Sequence, residues 1–327
     1  MTNRFPLVSI GLALFNDGKY LSQSLDSLLS QDFEDFEVII SDNASEDATQ
    51  QICLDYTARD PRLRYYRNSS NVGGVKNFNR VFELSQGKYF IWASGHDLWH
   101  PRYLSRCLEV LENDPRVVLC YPQVAEIDQV NKSLGVVQEG LETRFLNDFE
   151  RFRAVIRGLA KLPICDPIYG LIKSDALRKT RLMRNIWGPD HLILLEISFS
   201  GAIAHIKKPL YYRRRLPERE ANLEDWTDQY LIRLEPRNRW KRLRLTFSQM
   251  CFEYLITIYR SPFLVWQKMK LVIDTFHTFW SVYRYGIIYR DIICGLLHLL
   301  FGESATYYIL KRYPYRLGKF LRNHLRI

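Results

Sequence analysis

Residues Tyr89–Pro101 read YFIWASGHDLWHP, and this stretch says most about the fold. Its first four side chains are large and apolar and predict a buried strand, while the polar turn that follows carries His96 and Asp97. Leu98 and Trp99 form a second apolar edge before the proline, which opens a helix. In a chain that alternates strands and helices, the carboxyl end of such a strand borders the ligand crevice. A carboxylate and an imidazole there make the turn a candidate for holding a cation and a diphosphate.

The rest of the first half alternates in the same way. Apolar strands are predicted at 7–14, 36–40, 63–66 and 117–121, with helical patterns between them. Ser45 is predicted to be the N-cap of a helix that ends near Arg59. Strands separated by helices imply a mainly parallel sheet covered on both faces, so the predicted fold class is α/β. From 128 to 147 the pattern weakens, which predicts a loop or lid on the substrate side.

Positive charge is concentrated in the last third of the chain. The whole sequence has 46 Lys and Arg against 36 Asp and Glu, and residues 226–327 hold 17 of the basic but only 6 of the acidic residues. This part reads as helical, basic and rich in aromatic side chains. Two interpretations stay open: peripheral contact with an anionic membrane, or a helical subdomain whose aromatics are core. No nucleic-acid-binding module is recognisable, so we expect no nucleic acid partner.

Other features of the sequence narrow the class of protein. The six cysteines are scattered without a Cys-x-x-Cys pair, which favours reduced thiols in a cytoplasmic protein. The first strand begins almost at once, so we expect no secretory leader. No apolar run approaches the roughly 18–20 residues of a membrane span.

Four segments in order carry a resemblance to a known family. They are Val8–Asn16, Ile39–Thr49, Asn71–Pro101 and Trp187–Arg215, which together fall within about residues 6–216. They resemble family 2 glycosyltransferases, the inverting enzymes of the GT-A fold. The resemblance implies a GT-A type, Rossmann-like, mainly parallel sheet flanked by helices, with a helical basic C-terminal extension. It implies a glycosyltransferase domain over 1–225, with a donor half over about 6–125 and an acceptor half over about 126–216, followed by a separate region over 226–327.

The resemblance also implies where a nucleotide-sugar binds. The first strand ends at Phe15 and Asn16, where backbone groups at a sheet edge suit a flat base. The carboxylate after the second strand, Asp42, would bind the nucleoside, and Lys76 at a helix start would meet phosphate. The residues assigned in this way to nucleotide-sugar binding are Ala13, Phe15, Asn16, Asp42, Lys76, Asn77, Ser94, Asp97, Arg213, Arg214 and Arg215.

Several of these residues have structural alternatives. Asp42 also suits an Asx turn or a helix cap. Asn77 is equally well a cap or a buried hydrogen-bond partner. The arginine run 213–215 also fits a solvated face, whereas guanidinium geometry suits a diphosphate.

The turn after Ala93 departs from the family pattern. The family carries an Asp-x-Asp motif whose last carboxylate bridges a divalent cation to the diphosphate. In this chain Ser94 and His96 occupy those positions, and only the following Asp97 is kept. Imidazole binds Mn²⁺ but suits Mg²⁺ poorly. We therefore assign His96 and Asp97 as candidate metal ligands and expect weak dependence on Mn²⁺ or Mg²⁺. We expect Lys76 and one or more of Arg213–Arg215 to neutralise the leaving diphosphate.

Asp190 is the candidate catalytic residue. It follows Gly188 and Pro189 at the start of a predicted amphipathic helix, where the family carries its general base. Inversion by single displacement needs one carboxylate to take the proton of the acceptor hydroxyl. The structural alternative is a helix-start carboxylate that only stabilises the helix dipole.

These observations predict an inverting glycosyltransferase. It would move a sugar from a UDP- or dTDP-linked donor to a glycan or lipid-linked glycan, in cell-envelope polysaccharide synthesis, in the cytoplasm at the inner face of the membrane. The rival from another class is a non-catalytic nucleotide-sugar-binding or scaffolding protein. A nucleotidyltransferase fits less well, because its glycine-rich basic phosphate loop is missing.

Overall fold

A computed structural model describes residues 5–159, 166–186, 188–216 and 246–282 of the chain. Contacts between Cα atoms divide the chain into two compact units. One comprises Met1–Asn185 with Pro189–Pro236, and the other comprises Ile186–Gly188 with Arg237–Ile327. The expected domain boundary at 225/226 lies outside the described residues, so it stays a prediction.

The first unit alternates strands and helices. Its strands are β1 (Val8–Leu14), β2 (Phe36–Asp42), β3 (Leu63–Arg67), β4 (Tyr89–Ala93), β5 (Leu98–Trp99), β6 (Val117–Ile127), β7 (Ser133–Val136), β8 (Leu171–Lys173) and β9 (Ala202–Arg214). Its helices are α1 (Leu21–Leu29), α2 (Thr49–Arg59), α3 (Gly74–Glu83), α4 (Tyr103–Asn113), α5 (Asp148–Leu159), a 3₁₀ helix (Asp166–Tyr169), α6 (Ser174–Arg178) and α7 (Pro189–Ile197).

These strands form one sheet in the order β3-β2-β1-β4-β8-β6-β9-β5, with β7 paired to β6. Strands β1 to β4 are parallel to one another where they pair, as are β6 and β9. Strand β8 is antiparallel to β4 and β6, and β5 is antiparallel to β9. The predicted α/β fold class, a sheet flanked by helices, is confirmed. Antiparallel pairs make the second half of the sheet mixed.

Apolar side chains drive the assembly of the first half. Every residue of β2 and β4 is buried, as expected for strands that are covered on both faces. Helix α1 turns Leu21, Leu25 and Leu28 toward the same core, at the spacing of one helical face. The core therefore fixes where each strand ends, and so where each following loop begins.

Three predicted elements have different bounds in the structure. Helix α2 begins at Thr49, so the predicted N-cap role of Ser45 is wrong; the Ser45 hydroxyl instead accepts the backbone N–H of Asn16 at 2.9 Å. Strand β6 continues to Ile127, beyond the apolar run predicted at 117–121, because it pairs with β9 along its length. The segment from 128 to 147, predicted as a loop, contains β7.

In the second unit the structure describes a helix pair, α8 (Thr246–Arg260) and α9 (Val265–Val282). The two helices pack together, and the rings of Tyr254 and Phe279 meet edge to face with centroids 5.3 Å apart. No helix among the described residues combines the length and apolarity that crossing a bilayer requires. The predicted helical character of residues 283–327 lies outside the described residues.

Candidate functional site

The order of the strands brings three loops together at one edge of the sheet. Strand β1 lies between β2 and β4: the chain passes from β1 outward to β2 and β3, and then returns to β4 on the other side of β1. In such sheets the crevice outside the carboxyl ends of the strands at this reversal is the usual ligand site. In register, Leu14 lies beside Asp42 and Leu12 beside Ala93. The loops after β1, β2 and β4 therefore start next to one another.

The loops after β1 and β2 are joined by hydrogen bonds. The side chain of Asn16 accepts the backbone N–H of Glu46 at 2.9 Å, and the backbone N–H of Asp17 reaches Thr49 Oγ1 at 3.0 Å. Asp47 accepts the backbone N–H groups of Gly18 and Thr49. These bonds hold the edge of the crevice in one arrangement.

Two residues in these loops have unusual backbone conformations. Asn16 has φ 53° and Ala44 has φ 62°, both in the left-handed region. Asparagine tolerates this region better than alanine, which costs on the order of 1 kcal/mol there. Such conformations persist where the surrounding structure imposes them, and they cluster at ligand sites. Both lie directly after the strands whose ends border the crevice.

Phe15 is the exposed aromatic residue at this edge. Its side chain follows β1 and is 40% exposed, while the preceding Leu14 is fully buried. Ala13 is half-buried on β1, beside Ser41 in the register with β2. An exposed ring beside a polar loop suits stacking with a nucleobase.

Asp42 is held inside the protein. Its Oδ1 accepts the backbone N–H of Ser45 at 2.9 Å, and its Oδ2 accepts hydrogen bonds from Tyr65 at 2.8 Å and Arg67 at 2.5 Å. Arg67 lies beside Asp42 in the β2–β3 register, which explains the ion pair. Burial and the charge of Asp42 raise the pKa of Tyr65, so its phenol remains a donor. The bond to Ser45 spans three residues, one more than in an Asx turn, so the structural alternative takes the form of a local side-chain-to-backbone bond. Nucleoside binding by Asp42 stays a prediction.

The start of α3 contains one exposed and one buried candidate. Asn77 is buried: its Oδ1 accepts hydrogen bonds from Ser41 and Asn68, and its Nδ2 donates to the carbonyl of Ser41 at 2.8 Å. It therefore occupies the buried hydrogen-bonding position that was its structural alternative. Lys76 is exposed on the first turn of α3, which begins after Gly73 at φ 93°. A lysine and helix-start N–H groups at this place suit a phosphate.

Asp97 is the centre of a buried hydrogen-bond network. It is 2% exposed. Its Oδ2 accepts hydrogen bonds from the hydroxyls of Ser94 and Tyr211, both at 2.5 Å, and its Oδ1 accepts the backbone N–H of Arg214 at 2.8 Å. The pairing of β5 with β9 brings these partners together. Burial and the charge of Asp97 raise the pKa of Tyr211 well above its usual value, which keeps the phenol protonated.

The turn does not fit a cation held by carboxylates. Both oxygens of Asp97 already accept protein hydrogen bonds. The imidazole of His96 has its Nδ1 3.4 Å from Asp17 Oδ1. The described residues contain no group of three His, Cys, Asp or Glu side chains placed to bind one metal ion. The candidate metal ligands His96 and Asp97 therefore lack a third protein ligand in the described part of the chain.

The three arginines at the end of β9 have different surroundings. Arg213 pairs with Glu126, its neighbour in the β6–β9 register, and with Asp166. Arg215 is more exposed, with its Nε 3.3 Å from Glu126. The interpretation of the run as a solvated face is wrong for Arg213 and Arg214, which are buried. Diphosphate binding by the run stays a prediction, with Arg215 the most accessible of the three.

Arg214 joins the turn to two other elements. Its guanidinium donates to the carbonyls of His96 at 2.8 Å and Asp128 at 2.9 Å, and to the side chain of Gln23 at 3.1 Å. It also lies over the ring of Tyr20, 4.4 Å from the centroid. Arg214 therefore fixes the position of the turn that carries His96.

Asp190 lies in the first turn of α7 and is half-buried. Its Oδ1 accepts the backbone N–H of His191 at 3.1 Å. Burial lowers the pKa of the neighbouring His191 imidazole, so that side chain is neutral near pH 7. Helix α7 packs against the 3₁₀ helix Asp166–Tyr169, which in turn contacts β4 and β6. The 3₁₀ helix Asp166–Tyr169 therefore lies between the helix that carries Asp190 and the strands β4 and β6.

Several contributors to this site were missed from the sequence. From the sequence, no role was assigned to Asp17, Glu126, Asp166 or Tyr211. Their roles depend on pairing between strands distant in the chain, for which one sequence carries no direct signal. The usable signal was the run of polar residues after each predicted strand.

Asp166 has a perturbed pKa. Burial, together with the charges of Asp97 and Glu126, raises it to about 6 from 3.8, against the opposing effect of Arg213. An acid whose pKa is higher in the folded state stabilises the fold below about pH 4, and this contribution is lost as the pH rises through about 6.

We therefore expect a pH-dependent difference between the parent and Asp166→Asn. The free energy of unfolding of the parent minus that of the variant should fall by roughly 2–3 kcal/mol between about pH 4 and pH 7. Urea unfolding at several pH values measures it. Asp175→Asn, an exposed carboxylate paired with Arg178, is the matched control and should show no such fall. A flat difference for Asp166→Asn would contradict the assigned pKa.

Comparisons with known proteins agree with this geometry. The family model described as Glycosyl transferase family 2 matches residues 9–181. An uncharacterized glycosyltransferase of Rickettsia typhi is 31% identical over 134 residues, which cover 41% of this chain and 41% of that protein. An uncharacterized protein of Mycobacterium tuberculosis is 35% identical over 123 residues, 37% of this chain and 36% of the other. The matched region spans about two-fifths of these relatives.

Solved structures show the same fold. Staphylococcus aureus TarS 1–349 in complex with UDP-GlcNAc superposes with a TM-score of 0.61 at 17% identity, covering 84% of this chain and 72% of that one. The complex of the same protein with UDP gives a TM-score of 0.63 at 15% identity, covering 85% and 73%. At these identities the likeness concerns the fold.

Proposed function

This chain belongs to glycosyl transferase family 2, and we propose that it moves a sugar, with inversion, from a nucleotide diphosphate to a hydroxyl of a glycan or lipid-linked glycan. The observation that supports this proposal most is the meeting of the loops after β1, β2 and β4 at the reversal point of the sheet. TarS, which shares the fold, is solved with UDP and with UDP-GlcNAc. We therefore propose a UDP- or dTDP-linked donor.

The donor would lie across this edge. We assign the base to the exposed ring of Phe15 and the backbone of Asn16, and the diphosphate to Lys76 and the first turn of α3. Arg215 is the accessible arginine that would add positive charge. In this proposal the buried Asn77 and Asp97 hold the loops that bind the donor, and Asp42 both holds its loop and borders the nucleoside.

Asp190 would act as the general base. The acceptor hydroxyl oxygen attacks the anomeric carbon of the donor sugar, its proton passes to the Asp190 carboxylate, and the bond from that carbon to the diphosphate oxygen breaks. The nucleoside diphosphate leaves with the bonding electrons, and Lys76 and Arg215 offset its charge. Attack from the side opposite the leaving group inverts the anomeric configuration.

A thermal-shift screen tests the proposed donor class. The parent is heated with UDP, dTDP, GDP or CDP, and with their sugar conjugates. A ligand at 100 times its Kd that binds only the folded state adds about 2.7 kcal/mol to the free energy of unfolding, so UDP or dTDP should raise Tm. Phe15→Ala should reduce this rise, whereas Phe145→Ala, another exposed phenylalanine, should keep it. Absence of a shift with every nucleotide would contradict the proposal.

Metal removal is expected to have a small effect. Because Asp97 is engaged by protein donors, we expect EDTA to lower the rate of nucleotide release by less than about tenfold, a transition-state effect below roughly 1.4 kcal/mol. The assay follows release of UDP or dTDP from the donor found in the screen. Complete loss with EDTA, followed by rescue with Mn²⁺, would contradict this expectation and favour His96 and Asp97 as metal ligands.

We further propose that the reaction takes place in the cytoplasm at the inner face of the cell membrane, in envelope polysaccharide synthesis. The basic composition of residues 226–327 supports this placement, because anionic lipids attract such segments. We also propose that residues 1–225 form the glycosyltransferase domain and 226–327 the membrane-associating region.

A further inference from the structure

The helix pair α8–α9 exposes apolar side chains in a regular pattern. Besides Val265 at its start, the exposed large apolar residues of α9 are Trp266, Met269, Ile273 and Phe276, each of these four between 52% and 65% exposed. Their spacing of three or four residues places them on one face of the helix. We call this face the α9 stripe. Single exposed apolar residues are common, but a continuous stripe of four marks an interaction surface.

The charges of the same helix pair are distributed in an unusual way. Its two carboxylates, Glu253 and Asp274, are both buried. Its exposed or half-exposed charges are all positive: Arg260, Lys268 and Lys270. Soluble helices generally place carboxylates on the exposed face and apolar residues inside. This pair exposes apolar and cationic residues together and has no exposed Asp or Glu among its described residues.

The cations lie against the aromatic rings. The Nζ of Lys270 is 4.8 Å from the ring centroid of Trp266, and that of Lys268 is 5.8 Å from the ring centroid of Tyr259. Tryptophan and tyrosine favour the headgroup level of a bilayer, where lysine meets lipid phosphate. The combination of an apolar stripe with flanking cations is typical of helices that lie in a membrane interface.

We propose that the α9 stripe docks on the surface of an anionic lipid bilayer, with Lys268 and Lys270 at the lipid headgroups. A second copy of the chain is a poorer occupant, because pairing two such faces brings their lysines together without an exposed carboxylate to meet them. Lipid phosphates complement both the charge and the apolar face. Neither described helix is long and apolar enough to cross the bilayer, so in this proposal the pair lies along the surface.

Vesicle flotation with the full chain tests the proposal. The affinity of the parent for vesicles of equal parts phosphatidylglycerol and phosphatidylcholine should be at least roughly tenfold higher than its affinity for vesicles of phosphatidylcholine alone. The triple variant Trp266→Ser, Ile273→Ser, Phe276→Ser should weaken binding to the anionic vesicles by about tenfold or more. A matched variant, Leu54→Ser with Phe145→Ser, changes exposed apolar residues of the first unit and should bind as the parent does.

A second pair of variants tests the role of Lys268 and Lys270. Lys268→Gln with Lys270→Gln should weaken binding to anionic vesicles several-fold, whereas Lys207→Gln with Lys208→Gln, exposed residues on β9, should not. Unchanged Tm in each variant shows that folding is kept. Equal vesicle binding by the parent and the triple variant would overturn the proposal. So would a parent that ignores vesicles but forms dimers that the triple variant dissociates. No donor is present, so the result is independent of the proposed transfer reaction.

Discussion

Replacing Asp190 by Asn is expected to lower kcat by about 10²–10⁴-fold, the usual contribution of a positioned general base. Asparagine keeps the size and hydrogen-bonding capacity of the side chain but cannot take the acceptor proton at neutral pH. Donor binding should be unchanged, because Asp190 acts on the acceptor. The measurements are the rate of nucleotide release with acceptor present and the Tm rise with donor.

Asp175→Asn is the matched control for this experiment. Asp175 and Asp190 are both acidic residues in the first turn of a helix, α6 and α7 respectively. A carboxylate that only stabilises a helix start contributes about 0.3–1 kcal/mol to folding, so both variants should lose similar stability. Only Asp190→Asn should lose turnover. Equal turnover in the two variants would remove the catalytic assignment, and an inactive parent that still binds nucleotide would favour the non-catalytic rival.

Replacing Arg213 by Ala is expected to lower the free energy of unfolding by about 3–5 kcal/mol. The change leaves Glu126 and Asp166 in place without the cation that both contact. Removing one partner of a buried ion pair lowers stability strongly, because the remaining charges are shielded from water and no longer have an opposite charge beside them. The pKa of Asp166, already raised to about 6, should rise further. Urea unfolding measures the stability, and its pH dependence reports the carboxyl group.

The adjacent Arg215 supplies a matched control. Its side chain is 39% exposed against 10% for Arg213, and it faces the same Glu126. Exposed pairs contribute about 0–1 kcal/mol, so Arg215→Ala should change stability little. If Arg215 meets the diphosphate as we propose, this variant should instead weaken donor binding. Equal losses of stability in the two variants would contradict the prediction that the buried Arg213 stabilises the fold much more than the exposed Arg215.

The candidate site shows where sequence reasoning works and where it stops. The strand ends at Leu14, Asp42 and Ala93 were predicted closely, because apolar runs end where the buried sheet ends. The start of α2 was predicted wrongly. Ser45 is a good N-cap residue by its local sequence, but its hydroxyl accepts a hydrogen bond from the backbone N–H of Asn16 in another loop. A local propensity of about 1 kcal/mol is readily outweighed by such a contact.

The amino-acid sequence alone determined the alternating α/β architecture, the family resemblance, the candidate base Asp190 and the cationic character of the last third. Each depends on periodicity, composition or neighbouring residues in one segment. Tertiary structure alone decided that Asp97 meets Tyr211 and Arg214, and that Arg213 is buried between two carboxylates. Those contacts arise from the pairing of β9 with β5 and β6, across large separations in the chain. The register of distant strands depends on the packing of the whole core, and no local pattern encodes it.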